Sequence, residues 1–157
     1  MSSEPVTAAV APDVTNAAMR ADRNFAGVIA QSVDQAEEVT LPQLRVLVLA
    51  QRQHGLNNTA IAAALKVHLS NATRICDRLV QAGLLNRQES KIDRRRVELT
   101  LTTAGSRLVE TVMNHRRAAL IQILEALPAE THQTLASALD LFSDAAEAVR
   151  PTAPPSP

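Results

Sequence analysis

The seven residues from Ser90 to Arg96 carry four positive charges, Lys91, Arg94, Arg95 and Arg96, with Asp93 the one acid among them. Like charges held this close repel unless an anion lies beside them. A phosphate backbone or a narrow minor groove supplies that anion. Asp93 offers local compensation and can orient a neighbouring arginine. A second set lies upstream. Ser70, Asn71, Thr73, Arg74, Asp77, Arg78 and Gln81 recur at the spacing of one helix face, while Ala72, Ile75, Cys76, Leu79 and Val80 share the other. Such a face carries the groups that read base edges: Arg takes guanine bidentately, Asn takes adenine, and Thr meets a thymine methyl. A plain solvated face would use the same residues, so the flanking elements must decide.

Those elements have the right order. Asn57 can cap a short helix over 58–65, with Ile61, Ala62 and Leu65 turned inward. Lys66-Val67-His68 makes a turn, and a second helix runs over about 69–82 to Gly83. Two helices joined by a short turn, the second polar and cationic, meet the requirement for major-groove entry. Residues 84–88 form a short strand. Residues 96–101 alternate, placing Val97, Leu99 and Leu101 on one face of a second strand. The arginine-rich segment is the tip between them. The expected fold is therefore mainly α with a small β wing, a winged helix-turn-helix.

Helices flank this reader. Thr40 can cap and Pro42 can open a helix that ends at His54-Gly55, with Leu44, Leu47, Val48 and Gln51 as its inward set. Upstream, residues 13–38 repeat apolar positions at helical spacing, from Val14 and Ala17 to Phe25, Val28, Ile29, Ser32 and Val33. Downstream, Thr102 caps a long helix over 103–127, with an apolar side that includes Leu108, Val112, His115, Leu120 and Leu124. Pro128 breaks it, and a last helix runs over 129–149 with Leu135, Leu139 and Phe142 on its apolar face. Residues 1–12 read as a disordered arm, 13–39 as an N-terminal dimerisation helix, 40–105 as the DNA-binding domain, 106–150 as C-terminal dimerisation helices, and 151–157 as a disordered tail.

Composition narrows the function. With 157 residues the chain is one domain, or one module with helical extensions. Apolar residues make up 46% and aromatics 1%, so the core is built from Leu, Val, Ile and Ala. Residues 51–105 hold nine basic and four acidic side chains, a net of +5; the whole chain is neutral, so the remainder carries −5. A basic module between acidic helices suits a nucleic-acid reader. The single cysteine excludes an internal disulfide framework and fits a cytoplasmic setting. No signal pattern opens the chain, and no run approaches the ~18 apolar residues of a membrane span.

Four stretches resemble the MarR family of bacterial transcription regulators. They are Thr40 to Leu47; Ile61-Ala62 with Leu65; Thr73 to Leu79 followed by Gly83-Leu84-Leu85 and Arg87; and Asp93-Arg94-Arg95 followed by Leu101-Thr102 and Gly105. The matched region spans roughly 40–105. Lys66, His68 and Leu69 depart from the Gly, Ser and Pro common in that family's turn. The resemblance implies a homodimer whose first and last helices interlock, holding two winged readers over a pseudo-palindromic site on double-stranded DNA. It implies recognition-helix contacts in the major groove and a wing arginine, here Arg95, in the minor groove. It also implies a pocket between the dimerisation helices and the reader, where small phenolic or other aromatic effectors act.

Other readings are weaker. No glycine-rich phosphate loop, His-Glu-x-x-His, Cys-x-x-Cys or nucleophile set marks an enzyme, and no cofactor is expected. A redox sensor would use Cys76, but that residue falls on the apolar face of its helix, where it serves as a small hydrophobe. The four histidines lack ligand spacing, and His115 is expected as a half-buried interface residue. A non-specific architectural dimer shares every feature and differs only in its ratio of specific to non-specific affinity.

Overall fold

The computed structural model describes residues 10–53, 55–89 and 97–149. Along them run α1 (Pro12–Asp34), α2 (Leu41–Arg52), α3 (Asn58–Leu65), α4 (Leu69–Gln81), β1 (Leu85–Glu89), β2 (Val97–Leu101), α5 (Thr103–Glu125), a single 3-10 turn (Ala129–Thr131) and α6 (His132–Ala148). The tip Ser90 to Arg96, with Lys91, Asp93, Arg94, Arg95 and Arg96, lies outside the described residues, as does His54. No helix of the described residues is long and apolar enough to cross a membrane.

Most helix ends follow from local chemistry. Asn57 caps α3, its side-chain oxygen accepting from the Ala60 N–H at 2.9 Å. At α2 the pairing runs the other way from a simple threonine cap. Gln43 Oε1 accepts from both the Thr40 N–H (2.8 Å) and the Thr40 hydroxyl (3.0 Å), the glutamine half of a capping box. Gly83 closes α4 with φ +70°. Its N–H reaches the Val80 carbonyl at 3.0 Å and the Leu84 N–H reaches Leu79 at 2.9 Å, a Schellman closure. α1 stops at Asp34, short of the expected residue 38, because Glu37 adopts φ +53° and turns the chain toward the buried Val39.

The chain divides into two compact units, residues 1–117 and 118–157, with the boundary inside α5. The first unit is built around α2. Leu44, Val46 and Leu47 are all buried, so α2 faces core on more than one side. The expected inward stripe missed Val46 and wrongly included Gln51, which is exposed. Ile61 and Leu65 of α3, Ala72, Cys76 and Leu79 of α4, Leu85 of β1, Leu99 of β2 and Leu108, Val109 and Val112 of α5 complete the same cluster. The strands pair antiparallel in the register Leu85↔Leu101 to Glu89↔Val97. Leu56 adds a third rung, its carbonyl accepting from the Leu99 N–H at 2.7 Å.

One contact sets the angle between the end of α4 and the start of α5. The Thr102 hydroxyl donates to the Gly83 carbonyl at 2.7 Å and accepts from the Gly105 N–H at 2.9 Å, so it caps α5 while holding the α4 turn. Gly105 is required there by space. A Cβ on it would stand 2.2 Å from the Leu84 carbonyl oxygen, far inside van der Waals contact.

In the second unit, no residue of α6 is buried. Leu139, Leu141 and Phe142 on α6, and Ile121, Ile123 and Leu124 at the end of α5, are exposed. His132 Nε2 lies 3.0 Å from the Leu124 carbonyl, which pairs one of the orphan groups at the end of α5.

Candidate nucleic-acid interface

The α3–turn–α4 pair is held rigidly by its own residues. α3 ends in a Schellman closure whose left-handed residue is Lys66, at φ +56° and ψ +46°, with the Val67 N–H bonded to the Ala62 carbonyl at 3.0 Å. A side chain in that conformation costs about 1–2 kcal/mol relative to glycine. Thr73 links the two helices. Its hydroxyl donates to the Leu69 carbonyl at 2.9 Å and accepts from Asn58 Nδ2 at 3.3 Å. Thr73 is half-buried and its hydroxyl is engaged within the protein, which leaves only its methyl for the thymine contact expected of it.

The buried side of α4 matches the expected face: Ala72, Cys76 and Leu79 are fully buried, with Ile75 and Val80 partly so. Ser70, Asn71, Arg74, Asp77, Arg78 and Gln81 are exposed. Among the described residues the side chains of Ser70, Asn71, Arg74 and Arg78 make no hydrogen bond or ion pair within the protein. Asp77 does. Its carboxylate meets the Arg87 guanidinium of β1 at 2.5 Å. This pair ties α4 to the root of the wing and neutralises the only acid on the exposed face of α4. Among the described residues Arg74 and Arg78 have no acid paired with them and stand beside the exposed Ser70 and Asn71. The helical period places Asp77 on this face without naming its partner, because a pairing between residues ten apart on different elements leaves no periodic signal.

At the start of α4, His68 occupies the cap position with extended backbone and no side-chain cap bond. Its carbonyl accepts from the N–H groups of Asn71 and Ala72 at 3.0 and 3.1 Å. The helix dipole thus presents its positive end on the same surface as Ser70, Asn71 and Arg74.

Cys76 lies on the opposite side, fully enclosed. Burial pushes its thiol from an ordinary 9.0 up to about 11, with Arg87 pulling it down and Asp77 adding to the rise. At neutral pH it is a protonated core hydrophobe, without the thiolate that oxidant sensing needs. On α5, His115 and Arg116 are half-buried, and His115 Nδ1 and Arg116 Nε are buried with no partner among the described residues.

Comparison with known proteins fits this geometry. The model of the MarR family matches residues 39–97. The uncharacterized HTH-type transcriptional regulator YfiV of Bacillus subtilis is 31% identical over 110 residues, 70% of this chain and 69% of that protein. The HTH-type transcriptional repressor MdtR of the same organism is 32% identical over 72% of this chain and 73% of its own length. The crystal structure of RV1404 from Mycobacterium tuberculosis is 31% identical, covers 97% of this chain and 99% of its own, and superposes with a TM-score of 0.78. The fold also recurs in a Staphylococcus aureus MepR mutant bound to an oligodeoxyribonucleotide. That chain is 21% identical, with TM-score 0.66, and the match covers 84% of this chain and 96% of that one.

Proposed function

The chain belongs to the MarR family of transcriptional regulators, and on that premise we propose that it is a dimeric, sequence-specific repressor released from its operator by a small molecule. The observation that carries DNA reading is the exposed face of α4, where Ser70, Asn71, Arg74 and Arg78 have no partner among the described residues while Asp77 is taken up by Arg87. A preorganised cationic face of this kind pays little to bind a polyanion. In this reading Arg74 and Asn71 meet base edges, Ser70 and Arg78 meet bases or phosphates, and Thr73 acts chiefly by fixing the first turn of α4. Lys91, Arg94, Arg95 and Arg96 bring the wing to the minor groove or its phosphates, with Asp93 orienting a neighbour.

Dimerisation is supported by faces that a single chain leaves wet. Val14, Met19 and Phe25 of α1 and Leu139, Leu141 and Phe142 of α6 are exposed. Large apolar side chains left exposed along two helices suit a contact with a second copy, and a two-fold dimer would set two α4 helices about 34 Å apart, one turn of DNA. Release by an effector is supported by the unsatisfied His115 Nδ1 and Arg116 Nε, buried polar atoms that an incoming ligand or partner would pair. A ligand that prefers the dimer with a different half-site spacing lowers DNA affinity by that preference alone. The protein acts in the cytoplasm and has no catalytic step of its own.

The test is selection of genomic fragments by the purified protein at moderate salt, with the winners compared to random DNA. A pseudo-palindrome bound about a thousandfold or more above random sequence is expected. Salt-sensitive binding to all DNA alike would move the chain to an architectural role. On the selected site, Arg95→Ala should weaken binding and flatten its salt slope, and Arg74→Ala should relax base preference.

A further inference from the structure

The side chain of Leu69, the first residue of α4, takes no part in the core. Leu69 is 52% exposed. It belongs neither to the buried core cluster nor to the partly buried hydrophobics packed against it. Every other exposed residue of α4 is polar or charged: Ser70, Asn71, Arg74, Asp77, Arg78 and Gln81. Leaving a leucine in water at this place forgoes burial energy without serving the fold.

Its position gives it a use. Side chains of a helix lean toward the N-terminus, so a residue in the first turn overhangs that end. In a helix-turn-helix the N-terminal residues of the second helix are those that meet base edges. Leu69 is also held in place. Its carbonyl accepts from the Thr73 hydroxyl at 2.9 Å, and Asn58 of α3 holds that hydroxyl in turn. The backbone turn that carries Leu69 is therefore fixed before DNA arrives, and little order has to be imposed on binding.

An aliphatic side chain in the major groove has one apolar partner on the bases, the C5 methyl of a pyrimidine. We propose that Leu69 reads a C5-methylated pyrimidine, thymine or 5-methylcytosine, once in each half-site. This rests on the DNA-reading role of α4 proposed above. It makes Leu69 a specificity residue beside Arg74 and Asn71, selecting by methyl contact where they select by hydrogen bonds.

The test takes the operator selected by the wild-type protein and replaces each thymine in turn by deoxyuridine, in both half-sites. Uracil pairs as thymine does and lacks only the methyl. One position should stand out, with wild-type affinity falling about fourfold per half-site and about sixteen-fold for the pair, the value of burying one methyl twice. At that position Leu69→Ala should bind thymine and uracil equally. Because Leu69 is exposed and alanine is an equally good helix former, the variant should melt with the wild type. Cytosine positions are compared with and without a C5 methyl. A gain there, in wild type but not in Leu69→Ala, assigns the contact to 5-methylcytosine. Equal wild-type affinity with and without the methyl at every pyrimidine overturns the proposal, as does an undiminished methyl effect in Leu69→Ala. Failure to select any operator would sink the regulator reading itself, a result distinct from a selected operator that ignores the methyl.

Discussion

The two compact units hide aliphatic side chains in opposite ways. In residues 1–117, large side chains such as Leu44, Leu47, Ile61, Leu79 and Leu99 are almost completely enclosed by their own chain. In the second unit, α6 buries nothing, and Leu141, Phe142 and Val149 are 71%, 64% and 78% exposed. The two regions draw on the same aliphatic vocabulary, so hydrophobicity does not separate them. Connectivity does. The reader folds five short elements and the start of α5 back on one another, so each covers its neighbour. Among the described residues, the elements of its own unit bury no side chain of α6. The reader buries its own core, and on the proposed reading a second copy covers the terminal helices.

The comparison breaks most severely if the exposed faces serve nothing. Leu139→Asp with Phe142→Asp should convert a dimer to monomers by sedimentation and abolish high-affinity operator binding, since each buried large apolar side chain contributes about 1.5–3 kcal/mol and occurs twice in a two-fold dimer. Unchanged mass and binding would mean that α6 is an ordinary wet helix. In the reader the largest effect is expected at a residue with no side chain. Gly105→Ala drives a methyl into the Leu84 carbonyl and should cost about 3 kcal/mol or more in thermal or urea unfolding. A variant that melts with the wild type would show that the α4–α5 junction yields.

Cys76 sharpens the contrast through pH. Its folded-state thiol titrates at about 11 against 9.0 when free, so folding favours the protonated form. The associated stability is complete below pH 9 and is lost as pH rises through 11, a difference of up to roughly 3 kcal/mol at about 1.4 kcal/mol per unit. Wild-type stability should therefore fall more steeply over that window than that of Cys76→Ala. The smallest effect belongs to the Asp77–Arg87 pair, whose side chains are 53% and 43% exposed. A double-mutant cycle should give below about 1 kcal/mol of stability. If the pair matters, it matters for DNA: freeing Asp77 by Arg87→Ala should weaken operator binding more than it weakens the fold.

Much of the reader was legible in the residues. Asn57, Gly83 and Thr102 mark helix ends by chemistry that acts over a few residues, and each does so in the structure. The polar face of α4 follows from a 3.6-residue period. What failed was whatever depends on neighbours distant in sequence. Val46 falls outside the single inward stripe expected for α2, yet it is fully buried. Thr73 falls on the polar face by its period, but the bond of Asn58, fifteen residues earlier, to its hydroxyl leaves no local signal. Leu69 stands out in the sequence only as a departure from the proline common in that family's turn, and its exposure is a property of the packing.

Element types, their order, most of their ends and the clustering of charge were determined by the sequence alone, because propensity, capping and periodicity are local. The tertiary structure alone decided which apolar faces this chain covers for itself, that Asp77 is neutralised by Arg87, that Gly105 has no room for a side chain, and that Leu69 stands in solvent at the head of α4. Each of these depends on where a residue far along the chain comes to rest, and packing sets that position where no local pattern can.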